Sequence, residues 1–251
     1  MDGVHIGAGS VADLDELGWC HYRRSRVVGG AARPATVVGV LSARRGRRGR
    51  LMGVLCVSMP VMHGAWRRAL WGAAFTAACA SERSGVMARL NAHLRCISRV
   101  IVDPRDRGRG VAVGLIRAYL DGPITACTEA VASMGVCCPM FERAGMRVAS
   151  VPRSAADERL IAWLAQRGVR AIDLAWPSAA AARFGASAGG LAQAERALRA
   201  WARGSVATRH AAGATVADLW RLAGGRLAAE RVAYGAGEIA VGAGAAIHTD
   251  V

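Results

Sequence analysis

Six consecutive residues, Arg107, Gly108, Arg109, Gly110, Val111 and Ala112, have the types and spacing from which chemistry can be read most directly. They follow a β-branched run that ends at Ile101 and Val102. They lead into a segment whose apolar positions, Val111, Leu115, Ile116 and Leu120, fall on one face of a helix. A strand, a glycine turn and a helix N-terminus together form a cradle for an anion. Successive backbone N–H groups turn inward, and the positive end of the helix faces the bound charge. Gly108 and Gly110 let the backbone approach phosphate oxygens with no Cβ in the way. Residues 101, 102 and 107–112 are therefore the candidate phosphate contacts. Three anions fit such a cradle: a nucleic-acid backbone, a nucleotide, or the pyrophosphate of a cofactor.

Two of the common phosphate loops do not match. A P-loop requires GxxxxGK[ST], and this chain contains no lysine. A dinucleotide loop requires GxGxxG after an early strand, whereas here Gly108 and Gly110 are followed by Val113 and Gly114 in mid-chain. The pattern that fits is [QR]xxGx[GA], met by Arg107, Gly110 and Ala112.

Other side chains could act beside such a loop. His21 and Tyr22 are adjacent. An imidazole titrates near neutrality and a phenol donates or accepts, so the pair can orient a substrate or move protons; equally, they read as a surface histidine and a core tyrosine. Ser98 lies in the strand before the loop, where its hydroxyl either holds a substrate amine or cofactor carbonyl or is satisfied within the strand. Glu129 sits in an apolar run, where an unpaired carboxylate is costly. It either pairs with an arginine such as Arg99 or works as a base of raised pKa. Cys96 and Cys127 read as small core residues, and His63 and His93 carry no local pattern. Residues 44–50 hold five arginines in seven positions, either a phosphate contact or a solvated turn.

The elements that must position these groups follow from patterning. Residues 10–19 read as a short helix with acids in its first turns. Residues 34–43 and 51–60 are β-branched runs around the arginine turn, hence a hairpin. A helix leads into a strand over 95–104, then come the loop and a helix over 110–120. A weaker strand at 124–133, a short helix, a stop at Gly145 and a closing strand complete the series. After Pro152 the chain becomes Ala-rich and helical, with capping boxes at Ser154/Asp157 and Thr215/Asp218 and helices over 190–205 and 215–235. The expected division is residues 1–150 as one domain and 151–251 as a helical extension.

Composition narrows the class. The 251 residues carry a formal charge of +15, and every one of the 33 basic residues is arginine. Residues 1–150 hold 21 arginines against 10 acids, so most of the basic excess lies in the part of the chain that also holds the loop, and such a field favours an anionic partner. No stretch reaches the roughly 18 apolar residues of a membrane span, and the first residues lack a basic segment followed by an apolar one. A soluble, cytoplasmic protein is expected. The seven cysteines form no CxxC pair, consistent with reduced thiols and no structural metal.

The stretch "ISRVIVDPRDRGRGVAVGLIRAYL" resembles the pyrophosphate-binding motif of the GNAT superfamily of acyl-CoA-dependent N-acyltransferases. "PMFERAGM" at 139–146 resembles that family's following "fYeklGF" helix and turn. The resemblance implies an α+β fold, a mixed and mostly antiparallel twisted sheet flanked by helices, with acetyl-CoA or a related acyl-CoA as cofactor. It also implies that Phe141 stands where many members have a tyrosine that protonates the departing thiolate. Over residues 17–150, "WCHYRRS", "GVLCVSMP", "RCISRVIVDPRDRGRG" and "TEAVASMGVCCPMFERAGM" together resemble the Mom-like group, DNA-modification proteins of phages and bacterial relatives. That closer resemblance implies duplex DNA as partner, a carbamoylmethyl-type group placed on the exocyclic amine of adenine, iron in addition to acyl-CoA, and catalytic roles for His21, Tyr22, Ser98 and Glu129. Two other readings stand beside it: an acetyl-CoA-dependent N-acetyltransferase of a small amine or peptide, and a non-catalytic binding module of the same fold.

Overall fold

The computed structural model describes residues 3–20, 36–205 and 208–239. His21 and Tyr22 lie outside the described residues. The chain divides into two compact units, one built from the segments before residue 152 and after 231, the other from most of the residues between.

The first unit is a seven-stranded sheet: β1 (Val4–Ala8), β2 (Val37–Arg45), β3 (Leu51–Ser58), β4 (Leu94–Val102), β5 (Cys127–Ala132), β6 (Arg147–Ser150) and β7 (Val232–Gly237), in the spatial order β1-β2-β3-β4-β5-β7-β6. All neighbours are antiparallel except β4 and β5. This is the mixed, mostly antiparallel sheet flanked by helices that the resemblance implies. The run LMGVLCVS of β3 is buried at every position, as a strand covered on both faces must be.

One face carries α4 (Val111–Leu120) and α5 (Met140–Arg143), packed over Leu55, Val57, Ile97, Ala130 and Tyr234. The helix α4 approaches β3 closely at Gly53, where a Cβ would stand 3.1 Å from both Ile101 O and Val111 Cγ1. The opposite face carries two apolar patches. Leu14 and Leu17 of α1 (Val11–Leu17) cover Val54, Cys56 and Ile101. Leu70 and Trp71 of α2 (Arg67–Trp71) and Val86 and Leu90 of α3 (Arg83–His93) cover Leu94, Cys127 and Ala233.

No element was expected over β1, whose alternation spans only Val4, His5 and Ile6. Two expectations change. The helix expected over 215–235 ends earlier, as α9 (Val216–Leu227), and residues 232–237 return to the sheet as β7. The segment 151–251 is therefore not a purely helical extension: its last strand fills the place between β5 and β6. The sequence VAYGAG is too short and too small-sided for alternation to separate it from the helix before it.

The second unit packs α6 (Ala155–Ala165), α7 (Pro177–Gly185), α8 (Gly190–Arg203) and α9 around Leu160, Leu174, Phe184, Leu198, Trp201, Leu219 and Trp220. The expected boxes are present as caps. Ser154 and Asp157 cap each other's backbone at α6, and Thr215 Oγ1 accepts the Asp218 N–H at α9.

Asp157 does more than cap. It is buried and accepts from Trp201 Nε1 at 2.8 Å and from Arg226 Nε and Nη2 at 3.0 Å each. Burial alone pushes its pKa up, but the hydrogen bonds from Arg226, Trp201 and Ser154 outweigh it and leave a value of about 2. Because the folded carboxyl titrates below the unfolded one, its contribution is complete above about pH 4 and is lost as pH falls through 2. Asp157→Asn is expected to cost about 3 kcal/mol at pH 7 and to flatten the acid limb of stability, both measurable by urea denaturation against pH.

Candidate functional site

The site begins where two parallel strands part. β4 and β5 pair from Leu94 opposite Cys127 to Ile97 opposite Ala130, and no further. Past that point β4 continues along β3 while β5 continues along β7. The facing edges of Ser98–Val102 and Val131–Ala132 therefore diverge into a fork that presents backbone N–H and C=O groups to whatever enters. Opposite the fork the β3–β4 register shifts by one, since Cys56 pairs with Arg99 but Val57 with Ile97. Ser98 is the extra residue of that bulge, and a bulge re-aims the side chain it carries.

At the open end of the fork lies the glycine loop. Gly108 and Gly110 adopt φ of 77° and 78°, the left-handed region that glycine enters without strain. Gly110 is the N-cap of α4, and the first bond back to the cap is Gly114 N–H to Gly110 O at 2.9 Å. The N–H groups of Val111, Ala112 and Val113 thus have no acceptor within the helix. Ile101 is buried toward α1, and Val102 supplies its carbonyl to Arg107 Nε at 3.3 Å.

The loop is braced from two sides. Asp103 accepts from Arg105 N–H at 2.9 Å and from its guanidinium at 3.0 and 2.7 Å. Those bonds hold the Asp103 carboxyl well below the usual carboxylate range. Arg50, from the end of the hairpin turn, reaches Asp103 at 3.2 Å and Asp106 at 2.7 Å. Arg44 is paired with Asp13. Arg45, Arg47 and Arg48 are exposed and have no carboxylate partner among the described residues. The arginine turn is thus part brace and part free charge.

Ser98 is exposed. Its hydroxyl donates to Cys56 O at 3.2 Å and lies 2.7 Å from Ser58 Oγ. With the Ser98 proton committed to a carbonyl, Ser58 must be the donor in that pair, and Ser98 Oγ faces outward as an acceptor. It is suited to an N–H group rather than to a carbonyl. Cys96 lies opposite Ser58 on the same face, and its thiol is pushed up to about 12 by burial first and by the Glu129 charge second. It stays protonated and is no nucleophile.

Glu129 is fully buried, and its pairing partner is Arg67 rather than Arg99. Arg67 Nε and Nη2 donate to its two oxygens at 2.9 and 2.7 Å, and Trp66 Nε1 adds a third bond at 2.9 Å. Arg67 also donates to Met62 O at 3.2 Å and to Val61 O. Of the two alternatives open for Glu129, the ion pair is the one formed. Arg67 gave no signal in the sequence because nothing in "AWRRAL" marks one arginine as the buried one.

Phe141 is buried against Tyr234, with ring centroids 5.0 Å apart. Tyr234 was also without a signal, since its neighbourhood read as helix. No group of three or more His, Cys, Asp or Glu capable of holding a metal occurs among the described residues. The iron implied by resemblance therefore has no donor set among them. No helix among the described residues is long and apolar enough to cross a membrane.

Ser98→Ala is expected to cost about 1–2 kcal/mol, as two modest hydrogen bonds, to Cys56 O and with Ser58 Oγ, are lost. Urea denaturation of the variant and wild type checks it.

No family model and no curated protein matches the chain. Among solved structures, it is similar to Ard1 from Thermoplasma volcanium, with 12% identity over 58% of this chain and 84% of that one and a TM-score of 0.35. It is likewise similar to a mosquito arylalkylamine N-acetyltransferase like 5b, with 13% identity, 62% and 87% covered and a TM-score of 0.36. A third is an agmatine N-acetyltransferase, with 14% identity, 62% and 90% covered and a TM-score of 0.36. Likeness at this level says nothing of activity.

Proposed function

We infer that the protein is an acyl-CoA-dependent transferase of the GNAT type whose acceptor is an amine. One observation carries this reading. A forked parallel strand pair ends in a loop with two left-handed glycines, and the unpartnered N–H groups of the next helix face the same opening. A pyrophosphate at Val111–Val113 would be held by backbone donors and the helix dipole. The extended arm of the cofactor, with its amides, suits the bare strand edges of the fork. The outward acceptor at Ser98 suits an amine N–H beside the thioester.

The acceptor we propose is the exocyclic amine of adenine in DNA, receiving a small acyl-derived group of carbamoylmethyl type, as the Mom-like resemblance over 17–150 implies. The charge of +15 and the exposed Arg45, Arg47 and Arg48 support a polyanionic substrate. His21 and Tyr22 remain proposed site residues on the resemblance alone. A small amine or peptide is the second reading, supported by Ser98, whose acceptor geometry asks only for an N–H. Mass spectrometry of nucleosides from cells expressing the chain tests the acceptor: a modified adenosine is expected, and ordinary nucleosides alone count against it. Thiol release from acetyl-CoA with a panel of primary amines then decides for the second reading.

A further inference from the structure

Tyr234 stands in the middle of β7, in register with Ala130 of β5 and Val148 of β6. Ala130 is the last residue of β5 to pair with β4, so Tyr234 marks the inner end of the fork. Its ring shares a face of the sheet with Ile97, Ala130, Leu115 and Phe141. The hydroxyl reaches the turn that follows β5, and a Cβ on Gly135 would stand only 2.7 Å from it. Among the described residues no hydrogen bond takes up this hydroxyl. The other described tyrosine differs, for the Tyr119 hydroxyl accepts from Thr128 Oγ1 at 3.5 Å. Burial first, then the neighbouring Glu142 and Cys138, push the Tyr234 pKa up, so the phenol keeps its proton at neutral pH.

Any transfer from an acyl thioester expels a thiolate, and a positioned proton donor eases that departure. Phe141 has no proton to offer. We propose that Tyr234 donates the proton to the leaving sulfur, its ring held at the fork by Phe141. The inference rests on the acyl-transfer reading above in its direct form, an amine acylated to an amide; a carbamoylmethyl group, joined to nitrogen through its CH2, does not arise by this step. The acceptor nitrogen bonds to the thioester carbonyl carbon, and the C–S bond breaks with its electron pair going to sulfur. Tyr234 Oη gives its proton to that sulfur, forming the free thiol. The phenolate then recovers, through solvent, the proton shed by the nitrogen that has become an amide.

The test follows thiol release from acetyl-CoA with duplex DNA, a panel of primary amines, and hydroxylamine as a small surrogate acceptor. Tyr234→Phe keeps the ring against Phe141 and removes only the hydroxyl. It is expected to lower kcat about 100-fold, with acetyl-CoA affinity and thermal midpoint unchanged and with loss of the alkaline fall in the kcat profile. Adding Phe141→Tyr to that variant returns a hydroxyl to the same ring pair and is expected to recover at least tenfold. Cys138→Ser, the control for the neighbouring thiol, is expected to leave kcat unchanged. A Tyr234→Phe chain with wild-type kcat and pH profile, or one that loses activity only in step with its thermal midpoint, overturns the assignment. A wild-type chain that binds acetyl-CoA but releases no thiol with any acceptor overturns it while leaving the cofactor reading standing. A chain that does not bind acetyl-CoA overturns both.

Discussion

Arg67→Met alone is expected to destabilise the sheet unit by about 3–5 kcal/mol, and Arg67→Met with Glu129→Leu to recover most of that loss. Both side chains of the pair are fully buried. Removing the guanidinium strands a carboxylate between α2 and the centre of the sheet, with only the Trp66 N–H left on it, and frees the carbonyls of Val61 and Met62. An uncompensated buried charge accounts for the large cost. Two apolar side chains of similar volume avoid it, because desolvating the pair consumes much of its own attraction. The same experiment separates strut from catalyst. A structural Glu129 predicts that Glu129→Gln loses stability while the folded fraction keeps its kcat. A general base predicts intact stability and a collapsed rate. Urea denaturation and active-fraction-corrected rates, measured on the same samples, distinguish the two.

Gly110→Ala is expected to weaken acetyl-CoA binding about 10–100-fold, a loss of about 1.4–2.8 kcal/mol. At φ 78° a Cβ is strained by about 1–2 kcal/mol although the space around it is open. The backbone relieves that strain by turning, and in turning it re-aims the N–H groups of Val111 and Ala112. Gly122→Ala at the other end of α4, also in open space but without a positive φ, is the control and should bind as wild type. Titration calorimetry with acetyl-CoA checks both. Equal affinity in the two variants would show that the loop does not hold the pyrophosphate through its backbone.

The local elements were largely legible. The hairpin, the strand into Val102, the loop and α4, the stop at Gly145 and the caps of α6 and α9 each rest on interactions a few residues apart: alternation, a glycine that must turn left-handed, a side chain capping its own helix. The glycine loop belongs to this group, since one strand end, two glycines and one helix start complete it.

Tertiary structure decided what depends on contacts distant in sequence. Glu129 had two roles open until Arg67, 62 residues away, closed on it. Ser98 became an outward acceptor only because a bulge placed it over Cys56 O and beside Ser58. Tyr234 entered the sheet from a segment that reads as helix, and it reached Phe141 because β7 lies between β5 and β6. Types and spacing along the chain determine where backbone donors can converge on an anion. The partner of a buried charge, or the ring beside a missing hydroxyl, depends on strand order, which no local pattern encodes.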